Sequence, residues 1–311
     1  MAVEKIKIRS ELRQLKEKPI GVFDSGLGGL TVVREIMEML PCEDIIYFGD
    51  LARLPYGVKS KKQIRIFSYE DTEFLLQHGV KALVIACNTS ASVSLPFLKK
   101  RYDLPIIDVI FPTAEKAVKF SFAKRIGVIG TPATIQSRAY EKAIYGISPK
   151  VKVFSQACPL FVPLVEEGWL KGDIPKRVAA KYLQLLIENK IDTLILGCTH
   201  YPLLRETVQD YVGEQVVLID SAGPTVASLT KTLKEKHLLC TREKFGKLRV
   251  FVSDFPRNFI SVGERFLGCS LEGVRVIPIE QIIKNSVHET NGEKNGNENE
   301  EESHLSPVRR A

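Results

Sequence analysis

The 311-residue sequence contains no apolar run approaching the roughly 20 residues that a membrane span requires. The N-terminal stretch MAVEKIKIRSELRQLKEK, positions 1–18, alternates charge with short apolar groups. It contains neither the apolar core nor the small-residue cleavage site of an export signal. The expectation is a cytoplasmic protein with no membrane partner. Cysteine is sparse, and Cys42, Cys87, Cys158, Cys198, Cys240 and Cys269 lie at long spacings without a CxxC. That spacing argues against a structural zinc knuckle, and a cytosolic chain of this length has enough core to do without a disulfide framework. Cys42, Cys158, Cys240 and Cys269 are expected to be buried small hydrophobes. Concentrated charge is also lacking. The net charge is +7, but residues 1–18 (six Lys/Arg, three Glu) and 285–311 (three Lys/Arg, six Glu) cancel, so the excess is spread over the body. No aromatic residues interleave with it, so no nucleic-acid partner is expected; a mild preference for small anions is all that it implies. Finally, the glycines of FDSGLGGL match neither the dinucleotide fingerprint GxGxxG nor a Walker loop.

What is present is an alternation of short apolar runs with amphipathic stretches over residues 19–284. PIGVFD, DIIYFGD, ALVIAC, RIGVIG, VKVFS, TLILGC, QVVLID and LRVFVS read as strands. They are nearly continuous in Val, Ile and Leu, as parallel strands buried on both faces are. Helical text flanks each, and the class is α/β with mainly parallel sheets. Residues 285–311 are too polar to offset chain entropy and are expected to be a disordered tail. An internal duplication is visible. GVFDSGLGG, with Asp24, is followed by VIACNTSA, with Cys87. GVIGTPAT, with Thr131, is followed at a closely similar separation by LILGCTHYP, with Cys198. Two similar lobes facing each other would bring these strand ends to one cleft, where open parallel sheets bind ligands. The first lobe is expected at 19–112 plus 221–284 and the second at 113–220.

Both cysteines of the duplicated units end a strand. Asn88, Thr89 and Ser90 follow Cys87 as cap-type residues, and Thr199, His200 and an early Pro202 follow Cys198. A thiol at such a helix start is expected to have a lowered pKa. Two opposed thiols suit inversion of a carbon bearing an acidic hydrogen. One removes the proton from one face, the other delivers a proton to the opposite face, and the roles exchange with direction. Asp24 reads either as a helix cap or as a carboxylate that orients a substrate ammonium or assists a thiol. Gly26, Gly28 and Gly29 are expected to allow close backbone approach to a ligand. His200 is placed to tune Cys198. Taken alone, Pro55-Tyr56-Gly57 is a turn, and Glu166 and Glu167 are surface residues.

VFDSGLGGL, YFGD, PYG, ACNTSA, ACPLFVPLVEEG and GCTHYPLL together resemble the glutamate racemases, within the cofactor-independent aspartate/glutamate racemase family, in the same order and across residues 19–284. The resemblance implies two α/β lobes with the active site between them. It implies no cofactor and no metal, and glutamate as small-molecule partner. It implies Cys87 and Cys198 as the proton donor/acceptor pair, with Asp24, His200 and Glu166 (Glu167 being the alternative) assisting. Asp24, Ser25, Tyr56, Gly57, Asn88, Thr89, Thr199 and His200 are implied as substrate contacts, and supply of D-glutamate to peptidoglycan as the role. A homodimer is expected. Three other readings stay open: a related racemase acting on aspartate or another α-acidic substrate, a cysteine hydrolase or amidase with one nucleophilic thiol and His200 as base, and a non-catalytic binding or regulatory protein.

Overall fold

The apolar runs of the sequence become strands, and the central ones have their side chains covered on both faces. The structure, a computed structural model, describes residues 14–256 and 259–290 of the chain. Ten strands are present among them: β1 Ile20–Asp24, β2 Ile45–Gly49, β3 Ala82–Ile85, β4 Ile106–Asp108, β5 Arg125–Gly130, β6 Lys152–Ala157, β7 Thr193–Gly197, β8 Val217–Ile219, β9 Leu248–Val252 and β10 Arg275–Val276. The central strands β1, β2, β3 and β7 are buried throughout. The edge strand β6 is exposed or half-buried along its length, and both residues of β10 are exposed. β4 and β10 are the two strands that the sequence pattern does not reveal.

The strands form two sheets, in the orders β10-β9-β2-β1-β3-β4 and β6-β5-β7-β8, and every pairing is parallel. The inner order β2-β1-β3-β4 of the first sheet recurs as β6-β5-β7-β8 in the second. The duplication read from the sequence is therefore also a duplication of topology. In register, Phe23 pairs with Ile85 and Gly130 with Gly197. Asp24 and Cys87 thus leave adjacent strand ends in one sheet, and Thr131 and Cys198 leave the equivalent ends in the other.

Helices cover the sheets: α1 Leu30–Met39, α2 Lys61–Gln77, α3 Asn88–Arg101, α4 Ile110–Phe120, α5 Pro132–Ser137, α6 Ala139–Ile147 and α7 Phe161–Glu166, with later ones at Asp173–Glu188, Arg205–Val212, Ala222–Glu235, Phe259–Leu267 and Ile279–Thr290. Helix Ala222–Glu235 packs on both α1 and α4 and so ties the two halves together. The polar tail expected from residue 285 begins inside the last helix. Buried Ile282 anchors that helix, which packs on α2 and continues to Thr290. Residues 291–311 of the expected tail, and 1–13 of the N-terminal extension, lie outside the described residues. No helix of the described residues is long and apolar enough to cross a membrane.

Candidate active site

A cavity of about 410 Å³ opens between the carboxyl ends of the two sheets. The first sheet contributes Ser25, the Leu54–Val58 loop, Cys87, Asn88 and Thr89. The second contributes Thr131, Pro132, Pro159, Val162, Pro163, Glu166, Cys198, Thr199 and His200. Its size is that of a small-molecule site. The lining includes no Lys or Arg among the described residues. An anionic ligand would therefore be held by hydroxyls, an amide, the imidazole and backbone N–H groups.

Cys87 follows β3 and caps α3, its Sγ accepting from the Ser90 backbone N–H at 3.4 Å. The same sulfur donates to Ser25 Oγ at 3.5 Å. The expected lowering of this thiol's pKa is not what the structure gives. Burial, followed by the charge of Asp24, pushes it up to about 12, against weaker opposing bonds from Ser25 and Ser90. Desolvation of a charged sulfur outweighs the helix terminus here, so Cys87 carries its proton at neutral pH.

Cys198 follows β7 but does not begin an α-helix as expected. A four-residue 3₁₀ turn, Tyr201–Leu204, comes first, and the α-helix starts only at Arg205. Its polar neighbour is a side chain instead. His200 Nδ1 lies 3.9 Å from Sγ, and His200 Nε2 lies 3.2 Å from Glu166 Oε1. Of the two candidate glutamates, Glu166, the last residue of α7, is the one that meets the imidazole; Glu167 is exposed.

Burial opposes a charge on His200, but the bonds and charges of Cys198 and Glu166 outweigh it and lift the pKa from 6.5 to about 10. The imidazole is therefore cationic at neutral pH. A raised folded-state pKa stabilises the fold fully below about pH 6.5, and that contribution is lost as pH rises through about 10. Glu166→Gln removes one of the two partners, so the loss is expected to begin at lower pH in the variant. Urea unfolding of both proteins from about pH 6 to about pH 10 tests this; identical pH dependences would dismiss Glu166 as a partner.

Asp24 is fully buried and lies behind the cavity, outside its lining. Its Oδ2 accepts from the Gly29 N–H at 2.8 Å and from Thr199 Oγ1 at 3.4 Å. The carboxylate thus caps the turn before α1 and reaches the opposite sheet's loop. Gly26, Gly28 and Gly29 do not line the cavity, and none has positive φ. The expected approach to a ligand is instead an approach between halves: a Cβ at Gly28 would lie 2.3 Å from Thr199 Oγ1 and 2.7 Å from His200 Nδ1.

Tyr56 and Gly57 line the cavity from a 3₁₀ turn, Tyr56–Val58. The Tyr56 hydroxyl turns away from the cavity, donating to Asp50 and lying 3.0 Å from Asp71. Burial and these two carboxylates push its pKa well above 10, so it serves as an anchor and not as an acid. Arg53 reaches Asp50, Glu70 and Asp71 together, and Ser253 Oγ donates to Asp50 at 2.8 Å. This buried network pins the Pro55–Gly57 loop to α2 and β9. Asn88 and Thr89 open α3. Thr89 Oγ1 lies 2.9 Å from Thr131 Oγ1 and 3.2 Å from Thr134 Oγ1, a hydroxyl cluster joining the halves. Thr131 is a lining residue that motif reading misses. Its position equivalent to Asp24 in the duplication is the signal that could have found it.

Of the four cysteines expected to be buried, only Cys158 is. Cys42 and Cys240 are half-buried and Cys269 is exposed, and all six are free thiols. Among the described residues no cluster of three or more His, Cys, Asp or Glu is arranged to hold a metal.

Residues 20–229 match the family model described as Asp/Glu/hydantoin racemase. The chain is 48% identical over 261 residues to a glutamate racemase of Syntrophus aciditrophicus, covering 84% of this chain and 97% of that one. Two solved structures are similar to it. The glutamate racemase of Francisella tularensis in complex with D-glutamate is 41% identical, with a TM-score of 0.81 over 85% of this chain and 99% of that one. A glutamate racemase of Bacillus anthracis is 41% identical, with a TM-score of 0.82 over 85% and 98%.

Proposed function

The chain belongs to the Asp/Glu/hydantoin racemase family, and from that premise we propose that it interconverts L- and D-glutamate by moving the α-proton between Cys87 and Cys198. The carrying observation is the cavity itself: two buried thiols, one from each sheet, line one small-molecule space. For one enantiomer, the thiolate on one side removes the Cα proton while the thiol on the other protonates the opposite face. For the mirror-image substrate the roles reverse. The carbanion-like transition state needs donors that do not have to reorganise, and Asn88, Thr89, Thr199 and the first N–H groups of α3 supply them next to the substrate carboxylates. Burial and, after it, the Asp24 charge keep Cys87 protonated; the substrate ammonium offsets the second of these, easing formation of the thiolate. The His200 imidazolium, oriented by Glu166, serves Cys198.

In this reading residues 19–112 with 221–284 form one lobe and 113–220 the other. Ser25, Tyr56 and Gly57 contact substrate, and Asp24 acts through Cys87 and Thr199. The protein works in the cytoplasm as a homodimer and supplies D-glutamate for peptidoglycan.

The Cys198–His200–Glu166 line also has the nucleophile–base–orienter form of a cysteine hydrolase. One experiment separates the two. Incubated with either enantiomer of glutamate in deuterated water, the protein is expected to place deuterium at the α-carbon as optical rotation decays. Rotation that decays for aspartate but not for glutamate would remove the substrate assignment. Absence of α-deuterium would remove racemisation altogether.

A further inference from the structure

Tyr140 touches the loop of each candidate catalytic cysteine without lining the cavity. Its hydroxyl donates to Asn88 Oδ1 at 2.6 Å, across the boundary between the two sheets. Its ring edge covers Gly197, where an added Cβ would lie 3.0 Å from Cε2. Asn88 directly follows Cys87 and Gly197 directly precedes Cys198. Tyr140 is 3% exposed and Asn88 2%, so water contributes little to either partner.

A side-chain amide has two unlike ends. With its carbonyl engaged by Tyr140, Asn88 leaves Nδ2, which is buried and finds no partner among the described residues. Asn88 is a lining residue of the cavity, and Nδ2 is the polar atom that its side chain has left for a ligand. A flipped amide would present carbonyl lone pairs to a substrate carboxylate and replace attraction by repulsion. Burial and the charge of Asp108 push the Tyr140 pKa upward, so the phenol keeps the proton that it donates.

We infer that Tyr140 is a positioning residue for racemisation: its hydrogen bond to Asn88 Oδ1 orients the amide so that Nδ2 is offered to a substrate carboxylate. This inference rests on the reading that Asn88 holds substrate. The bond is made by a residue of the second half to a substrate-holding residue of the first, so ligand affinity depends on how the halves are docked.

The test is steady-state kinetics of Tyr140→Phe, Asn88→Ala and the double variant with L- and D-glutamate, with thermal melts of each. Tyr140→Phe keeps the ring over Gly197, so the fold is expected to survive. Its KM is expected to rise about tenfold, the scale of a hydrogen bond to a charged group, with a smaller fall in kcat. Asn88→Ala should raise KM at least as far. The double variant should be no worse than Asn88→Ala alone, because Tyr140 then has no amide to orient. An unchanged KM in Tyr140→Phe, or losses that multiply in the double variant, would overturn the role given to Tyr140 while leaving Asn88 as a substrate ligand. An unchanged KM in Asn88→Ala would instead overturn the reading of Asn88, and the inference with it.

Discussion

Alanine at Cys87 or at Cys198 is expected to lower the racemisation rate by about 10²–10⁴-fold, the usual contribution of a positioned acid or base. Both thiols are almost fully buried, and each lines the cavity from a different sheet. In the proposed mechanism neither can take over the other's face of the substrate. The variants should therefore fail in complementary ways. Each keeps one sulfur, so each is expected to exchange the α-proton of only one enantiomer for solvent deuterium without inverting it. The enantiomer that still exchanges should differ between the two variants. Proton NMR of the α-position, read beside optical rotation, measures both. Wild-type turnover in either variant would eliminate the two-thiol mechanism. Because enantiomers have equal free energy in water, kcat/KM must also be the same from either side in every variant, which gives the measurement an internal check.

The second large effect is expected at a residue that touches no substrate. Gly28→Ala should lower kcat/KM by about 10²-fold, the cost of shifting catalytic groups by about an ångström. The new methyl group would sit 2.3 Å from Thr199 Oγ1 and 2.8 Å from Thr199 Cβ. Thr199 separates Cys198 from His200, so relief of the clash displaces the groups around the second thiol. The overpacking itself is expected to cost about 1–3 kcal/mol of stability. Gly146→Ala is the control. Gly146 lies in α6 with nothing within 4 Å of the added methyl, and a helical Ala there should be neutral or slightly stabilising. Thermal melts and kinetics of both variants check this. A Gly28→Ala enzyme with wild-type kcat/KM would show that the halves can separate at no catalytic cost.

The parts of the site that are legible in the sequence share one property: they lie where a strand meets a loop. Cys87 and Cys198 stand out because an apolar run stops and polar cap residues begin, and local sequence carries that change. The expectations that the structure overturns concern local conformation and contacts made through space. A cysteine opening a helix suggests a lowered pKa, yet Cys87 is pushed up because burial and Asp24 act through space, and Asp24 belongs to a different strand, far from Cys87 along the chain. At Cys198 the local text looks the same, but a 3₁₀ turn replaces the helix start, and a glutamate from another element provides the charge. The glycines after Asp24 suggest the approach of a ligand and instead one of them, Gly28, meets Thr199 and His200, contacts that local sequence does not reveal.

By itself the sequence determined the α/β class, most of the strands, the duplicated order of strand, cysteine and polar turn, and the position of both thiols. Hydrophobic runs and strand ends are local, and a buried parallel strand must be apolar whatever lies beside it. The tertiary structure decided which residues meet: Glu166 and not Glu167 at His200, Asp24 behind Cys87, and Tyr140 on Asn88. Those contacts depend on how two sheets dock. Docking sets burial and through-space charge, and these set the protonation of Cys87 and His200 on which the proposed proton transfer depends.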